Sequence, residues 1–279
     1  MKASKITAEC PACGAPGAQV VTEWPRAGRH RPMACWQCGL FFLYPQPSPE
    51  MLQSYYAPDG KWRAVRSDGQ AAEAQTKTKG RAGRAVLELL DRHVSPGRRT
   101  VLDFGCGTGS WLNMLQDNGW ETFGIEPSSD AAFVRHLRLQ EIPTDGHFDL
   151  VVVYHVLEHL PGPLETLRLL AGAVRTGGYC FVSVPRLDTV LEHQDTRYCL
   201  YPPHHIVAFT EACLRGLLAR AGFEVVDTLH HLDELFTKGR PLRLRLLARK
   251  VASEVSYPDP ALALKSVLAE VPVLFTQAG

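Results

Sequence analysis

The chain has 279 residues, room for one large α/β domain with a small appendage, and its 45% hydrophobic content is ordinary for a globular protein. Thirty basic against 29 acidic side chains leave a net charge of +1, which excludes a global field for holding nucleic acid and leaves only a local patch. No apolar run reaches membrane-spanning length and no signal-type apolar core follows Met1-Lys2-Ala3-Ser4, so the expectation is a cytoplasmic protein with no membrane partner.

The eight cysteines are unevenly placed. Four form two Cys-x-x-Cys pairs, Cys10/Cys13 and Cys35/Cys38, each followed by a glycine, with 21 residues between the pairs. Such pairs make tight knuckles, and two knuckles supply four sulfurs to a tetrahedral zinc. Four sulfurs leave no position for water, so the metal is expected to be structural, replacing the core that about 45 residues cannot build alone. A redox dithiol would use one pair beside a βαβ unit. Residues 1–45 are therefore predicted to form a zinc ribbon. Cys106, Cys180, Cys199 and Cys213 stand in apolar contexts, as small core residues do, and both groups suit a reducing compartment.

Residues 46–84 are predicted to form a helical linker or lid. Ser48 is a helix cap, with Pro49 at the first position and Glu50 in the first turn. Tyr55-Tyr56 follow, either packing the ribbon on the main domain or walling a substrate. Residues 57–79 are polar, as a lid before a catalytic domain would be, and a helical pattern runs from Gly80 to Leu90.

Val101 to Phe104 is a short apolar run ending near Asp103, and it leads through Gly105, Gly107 and Gly109 into Trp111-Leu112-Met114-Leu115, spaced as on a helix. That is strand, glycine turn, helix. Gly119 closes the helix, and Glu121 to Ile125 is strand-like with Glu126 at its end, 17 positions after Gly109. In a parallel sheet such glycines let backbone N–H groups approach a ligand, and such a carboxylate accepts both hydroxyls of a ribose. The spacing is neither Gly-x-Gly-x-x-Gly nor a triphosphate loop.

Val-Leu-Asp-Phe-Gly-Cys-Gly-Thr-Gly resembles motif I of the class I S-adenosylmethionine-dependent methyltransferases, and the resemblance continues through Phe148–Pro163 and Val174–Pro185. It implies a Rossmann-like α/β sheet, mostly parallel with an antiparallel last strand, over residues 85–250. It also implies S-adenosyl-L-methionine contacts from Asp103, Gly105, Cys106, Gly107, Gly109, Glu126, Pro127, Tyr154 and His155. The family has a further strand and an adenine-contacting acid in the interval between Glu126 and Asp149; those residues are only 23 positions apart here, and Asp145 is the nearest candidate.

Phe148 to Tyr154 is a continuous apolar run, as expected for a central parallel strand. After it, His155-x-x-Glu158-His159 matches the letters of an inverted zincin motif, but it sits at a loop where that motif needs a helix. In similar methyltransferases this position closes over the methionine part of the cofactor and can contribute a base. A helix of leucines follows, then a turn at Gly177-Gly178 and a buried strand to Pro185. Tyr198, Tyr201, His204 and His205 occupy the next loop, stiffened by Pro202 and Pro203. Resemblance to the family's Pro-His-His-(x)3-Phe-Thr segment puts His204 or His205 near the acceptor. Methyl transfer needs alignment and removal of a proton, a task for a histidine that is neutral near pH 7. His155, Glu158, His159, His204 and His205 are thus the catalytic candidates. A divalent metal held by Glu158, His159 and one of His204/His205 is the alternative to a plain base.

Thr210 caps a helix that Gly222 ends, a strand starts at Phe223, and the last strand spans Leu242 to Lys250 after a turn at Lys238-Gly239. Residues 251–279 are predicted to be a helical tail. The expected activity is methylation, O- or N-, of a small-molecule or glycan-like acceptor in a bacterial glycan or natural-product pathway. The alternatives are an RNA or tRNA methyltransferase gripping nucleic acid through the ribbon, against which the neutral charge counts, and a non-catalytic ribbon scaffold.

Overall fold

The computed structural model describes residues 8–20, 29–57, 60, 80, 83–97, 99–107, 109–126, 142–188, 200, 203–229 and 242–252. In chain order the elements are β1 (Gln19–Val20), β2 (Arg31–Ala34), β3 (Phe41–Tyr44), α1 (Pro49–Tyr56), α2 (83–93), β4 (Arg99–Phe104), α3 (Ser110–Asp117) and β5 (Trp120–Ile125). They continue with β6 (Phe148–Tyr154), α4 (Pro163–Ala173), β7 (Val174–Pro185), β8 (Val207–Ala208), α5 (Glu211–Arg220), β9 (Phe223–Thr228) and β10 (Arg243–Lys250). The expected lid at 61–79, Pro127, Cys199, Tyr198, Tyr201, Pro202, the Lys238-Gly239 turn and the tail from 253 onward lie outside the described residues.

A six-stranded sheet runs in the order β5-β4-β6-β7-β10-β9. The first four strands are parallel and β10 is antiparallel to both its neighbours, as the sequence leads one to expect. The apolar runs of β4, β6 and β7 fit burial on both faces. Val101, Leu150, Val152 and Phe181 face α2 and α3, where Leu89, Leu90, Trp111 and Leu115 meet them. Val151, Val153, Cys180 and Val182 face α4 and α5, against Leu164, Leu167, Leu214 and Leu217. Each fully buried leucine contributes roughly 1.5–3 kcal/mol of transfer free energy to this layering.

One expectation fails. Gly177-Gly178 is not a turn ahead of the strand, because β7 begins at Val174 and runs through the pair. Phe148 pairs with Val174 but Leu150 with Tyr179, so β7 bulges here. Gly177 takes the left-handed φ of +77°, and a Cβ on Gly178 would lie 2.9 Å from the Asp149 carbonyl oxygen. Glycines serve a bulge as well as a turn, and only pairing distinguishes them.

The ribbon's small sheet has the order β1-β2-β3-β8. Its last strand comes from the far half of the chain, with Phe41 opposite Ala208 and Phe42 opposite Val207. This covers the β3 edge, which would otherwise present unpaired backbone groups. One apolar core continues from Cys38, Phe41 and Leu43 to Phe209, Cys213 and Leu214.

Candidate functional site

Three parallel strands deliver chemistry at their carboxyl ends. β4 opens into the glycine loop, β5 into Glu126 and β6 into His155. Gly105, Gly107 and Gly109 have φ of +81°, +57° and +74°, a left-handed run that other residues adopt only under strain. A Cβ on Gly105 would fall 2.4 Å from Val156 Cγ2, so the loop abuts the turn after β6. The loop is hung from β5 by the Gly105 and Cys106 N–H groups, which donate to Ile125 O at 2.7 and 3.0 Å. Gly107 N–H donates to Glu126 Oε2 at 2.9 Å, joining loop and acid directly. Asp103 and Cys106 are buried, at 2% and 7% exposure, at the base of this loop. The start of α3 adds its positive end to the same crevice.

Asp145 is corrected. It stands three positions before β6 begins, on the amino side of a strand whose carboxyl end carries His155. The length of that strand, about 23 Å at 3.3 Å per residue, removes Asp145 from the crevice.

His155 is the non-glycine with positive φ (+55°) among the described residues. Its N–H donates to Ser183 O at 2.8 Å, which helps hold a backbone shape costing about 1 kcal/mol or more. Its Nδ1 lies 2.9 Å from Glu158 Oε1. A carboxylate accepts, so Nδ1 carries the hydrogen and Nε2 is the basic nitrogen of the neutral ring. Glu158 is 1% exposed. Burial alone would raise its pKa, but the hydrogen bond from His155 and the charges of His159, His155 and His205 bring it down to about 2.

Leu157–His159 form a 3-10 turn, so the zincin letters do not share an α-helical face. His159 Nδ1 donates to His204 O at 2.6 Å and lies 3.1 Å from the Tyr56 hydroxyl, which itself donates to His204 O at 3.4 Å. The His204 and His205 rings stack with centroids 4.4 Å apart, and the His159 ring is 4.5 and 5.0 Å from them. His204 is pushed down to about 3, first by burial and then by its histidine neighbours, so its ring is neutral at pH 7. The five catalytic candidates therefore come together.

Sequence reasoning left Tyr56 undecided, Val156 unnamed, and Trp111 only as an apolar residue of the predicted helix. Tyr56 is held up in pKa by burial first and then by the charges of Tyr55, Glu158 and Glu126, so it feels both ends of the crevice. Its place in the Tyr55-Tyr56 pair at the end of a capped helix was the signal available. Trp111 packs on Tyr154 with centroids 4.9 Å apart, walling the side of β6.

The four ribbon cysteines also converge. Cys10 and Cys38 sulfurs are 3.5 Å apart, Cys13 and Cys35 3.6 Å, and all four lie within 4.8 Å of one another. Gly14 N–H donates to Cys10 O and Gly39 N–H to Cys35 O, both at 2.9 Å, so the two knuckles repeat one geometry. Sulfurs about 2.3 Å from a tetrahedral zinc stand about 3.8 Å apart, close to what is found. Cys106, Cys180 and Cys213 are buried and form no disulfide, and burial raises Cys180 to about 12. Among the described residues no helix is long and apolar enough to cross a membrane.

A family profile described as a methyltransferase domain matches residues 74–228. The chain is 33% identical over 144 residues to a probable S-adenosylmethionine-dependent methyltransferase of Mycolicibacterium smegmatis, covering 47% of this chain and 54% of that protein. It is 27% identical over 219 residues to a tRNA U34 carboxymethyltransferase of Shewanella piezotolerans, covering 63% and 66%. It thus spans about half to two thirds of the length of these relatives. A solved Burkholderia thailandensis 1,6-didemethyltoxoflavin-N1-methyltransferase, with bound 1,6-didemethyltoxoflavin and S-adenosylhomocysteine, superposes with TM-score 0.57 at 19% identity, over 82% of this chain and 98% of that one.

Proposed function

Because the chain belongs to the methyltransferase-domain family, we propose that it transfers a methyl group from S-adenosyl-L-methionine to a small-molecule or sugar-like acceptor, at oxygen or nitrogen. The observation that carries this reading is the 2.9 Å contact between the glycine loop and Glu126, a backbone cradle and a carboxylate at neighbouring strand ends. The left-handed φ of Gly105, Gly107 and Gly109 supports a nucleoside there, since a glycine loop of this shape lets backbone N–H groups approach a ligand. Asp103, Gly105, Cys106, Gly107, Gly109, Glu126, Pro127, Tyr154 and His155 are the residues proposed to hold the cofactor. The bound cofactor supplies a sulfonium-activated methyl and leaves as a neutral thioether. His155 Nε2, its tautomer fixed by Glu158, takes the proton that the acceptor gives up. His159, His204 and His205 form the acceptor end.

Zinc on Cys10, Cys13, Cys35 and Cys38 is proposed as structural, supported by the matched knuckles. The proposed division is ribbon 1–45, linker or lid 46–84, catalytic domain 85–250 and tail 251–279. A cytoplasmic enzyme of bacterial glycan or natural-product biosynthesis is proposed from the resemblance to ribbon-bearing methyltransferases, and the near-neutral charge favours a small acceptor over nucleic acid.

Calorimetry with S-adenosyl-L-methionine tests the reading. One molecule should bind per chain, and Glu126→Ala should weaken it by about tenfold or more, the worth of a charged hydrogen bond. An intact protein that binds none would leave only the scaffold alternative. A tRNA acceptor is the second reading, favoured by the likeness to the tRNA U34 enzyme. Binding of tRNA that falls steeply with salt would support it.

A further inference from the structure

The geometry points to a second metal site, at the acceptor end. His159, His204 and His205 form a three-imidazole site for one divalent first-row cation, and the acceptor class it fits is a hydroxyl compound that ligates the cation through oxygen. The word acceptor rests on the methyl-transfer reading; the cation site itself does not.

One ring nitrogen from each of the three histidines lies within 4.8 Å of the others. Ligation by zinc at about 2.0–2.1 Å would draw them to roughly 3.4 Å, a matter of small ring rotations. His159 is oriented as ligating histidines are, with its Nδ1–H donated to a backbone carbonyl, that of His204, at 2.6 Å. The carbonyl can only accept, so Nε2 is the nitrogen able to bind a cation. Tyr56 braces the same pair from α1, donating to His204 O at 3.4 Å. The His159 ring and the His204 backbone are thus tied together by a hydroxyl from another part of the fold.

Glu158 supplies the independent observation. Its carboxylate is 1% exposed, and Oε1 stands 4.0 Å from His159 Nε2. Oε1 is bonded to His155, but Oε2 is buried and has no hydrogen-bond partner among the described residues. A buried carboxylate oxygen with no partner is costly unless positive charge lies close by. A divalent ion on the three histidines would place that charge beside it.

The ligand set selects the ion. Imidazoles suit zinc, iron(II), cobalt and nickel, where magnesium and calcium ask for oxygen. Three protein ligands leave positions open, unlike the closed cysteine site, and an open position on such an ion lowers the pKa of a bound hydroxyl. An oxygen acceptor gains from this and a carbon acceptor does not.

The test uses the full chain with its ribbon filled by zinc, titrated with cobalt(II) and followed by metal analysis and visible absorption. A second equivalent should bind with a nitrogen/oxygen-type spectrum lacking thiolate charge-transfer bands. His205→Gln, and separately His159→Gln, should weaken that binding at least tenfold while keeping ribbon zinc and S-adenosyl-L-methionine affinity. A wild-type chain that takes up no cobalt(II) beyond the cysteines, or variants that bind it as the wild type does, overturns the proposal. A variant that loses its ribbon zinc has misfolded, and the other variant then decides. Cobalt(II) uptake without any cofactor binding would sink the methyl-transfer reading and leave this site standing.

Discussion

The four cysteines arrive as two pairs, each on its own knuckle, and the same backbone bonds recur in both: N–H of Cys10 to Ala15 O and of Cys35 to Leu40 O at 2.9 Å. The histidine end shares nothing of that repetition. Tyr56 comes from α1, Glu158 and His159 from the turn after β6, and His204 and His205 from the loop before β8. A site built of repeated local turns is set by a few residues around each ligand, whereas one gathered from three segments moves whenever any of them moves. The two regions are nevertheless joined. Leu43 N–H donates to Ile206 O at 3.0 Å and Ile206 N–H donates to Glu158 O at 2.8 Å, a backbone path from ribbon to histidine turn.

That path gives the largest expected effect. Cys35→Ser should cost several kcal/mol, since structural zinc in isolated fingers carries about 10–16 kcal/mol of folding free energy. A thermal melt would record the loss, and hydrogen exchange should rise at Ile206 as well as at Leu43. Unchanged protection at Ile206 would mean the regions are independent after all.

Next in size is Gly105→Ala. The new methyl meets Val156 Cγ2 at 2.4 Å on a backbone with φ +81°. Left-handed strain of about 1–2 kcal/mol and the clash together should cut S-adenosyl-L-methionine affinity by tenfold or more, with ribbon metal content untouched. Equal loss of both would show that the comparison has been drawn too sharply.

Glu158 gives a pH window that the cysteines do not share. Its folded pKa, about 2, lies below the ordinary 4.5. The stabilisation is therefore full above pH 4.5 and is lost as pH falls toward 2, with a ceiling of roughly 3 kcal/mol. Denaturant melts between pH 7 and pH 2.5 should fall more steeply for the wild type than for Glu158→Gln; parallel curves would rule the ion pair out as their cause.

The smallest effect is expected of Tyr56→Phe. It removes the hydroxyl that joins His159 and His204 O, which should cost about 1 kcal/mol and leave cofactor affinity within about twofold. A loss of cofactor affinity instead would move Tyr56 to the Glu126 end of the crevice.

The glycine loop was legible because its residues are contiguous and each has a job set by local backbone: three glycines take left-handed φ, and the acid follows one strand later. The cysteine knuckles were legible for the same reason. Asp145 misled because sequence distance says nothing about which end of a strand a residue occupies. Gly177-Gly178 misled because a bulge and a turn ask for the same residue, and only the pairing of β6 with β7 separates them.

By itself, then, the sequence determined the strand–glycine–helix unit and the two knuckles, fixed by interactions between near neighbours in the chain, while the direction of the last strand followed from the family resemblance. Only the tertiary structure decided that Val207–Ala208 completes the ribbon's sheet, that Tyr56 reaches His159, and that three histidines from two segments face one another above a buried carboxylate. Those contacts join residues up to 167 positions apart, as Phe41 with Ala208. No local pattern encodes such a meeting; it follows from the packing of ribbon and sheet on one shared core.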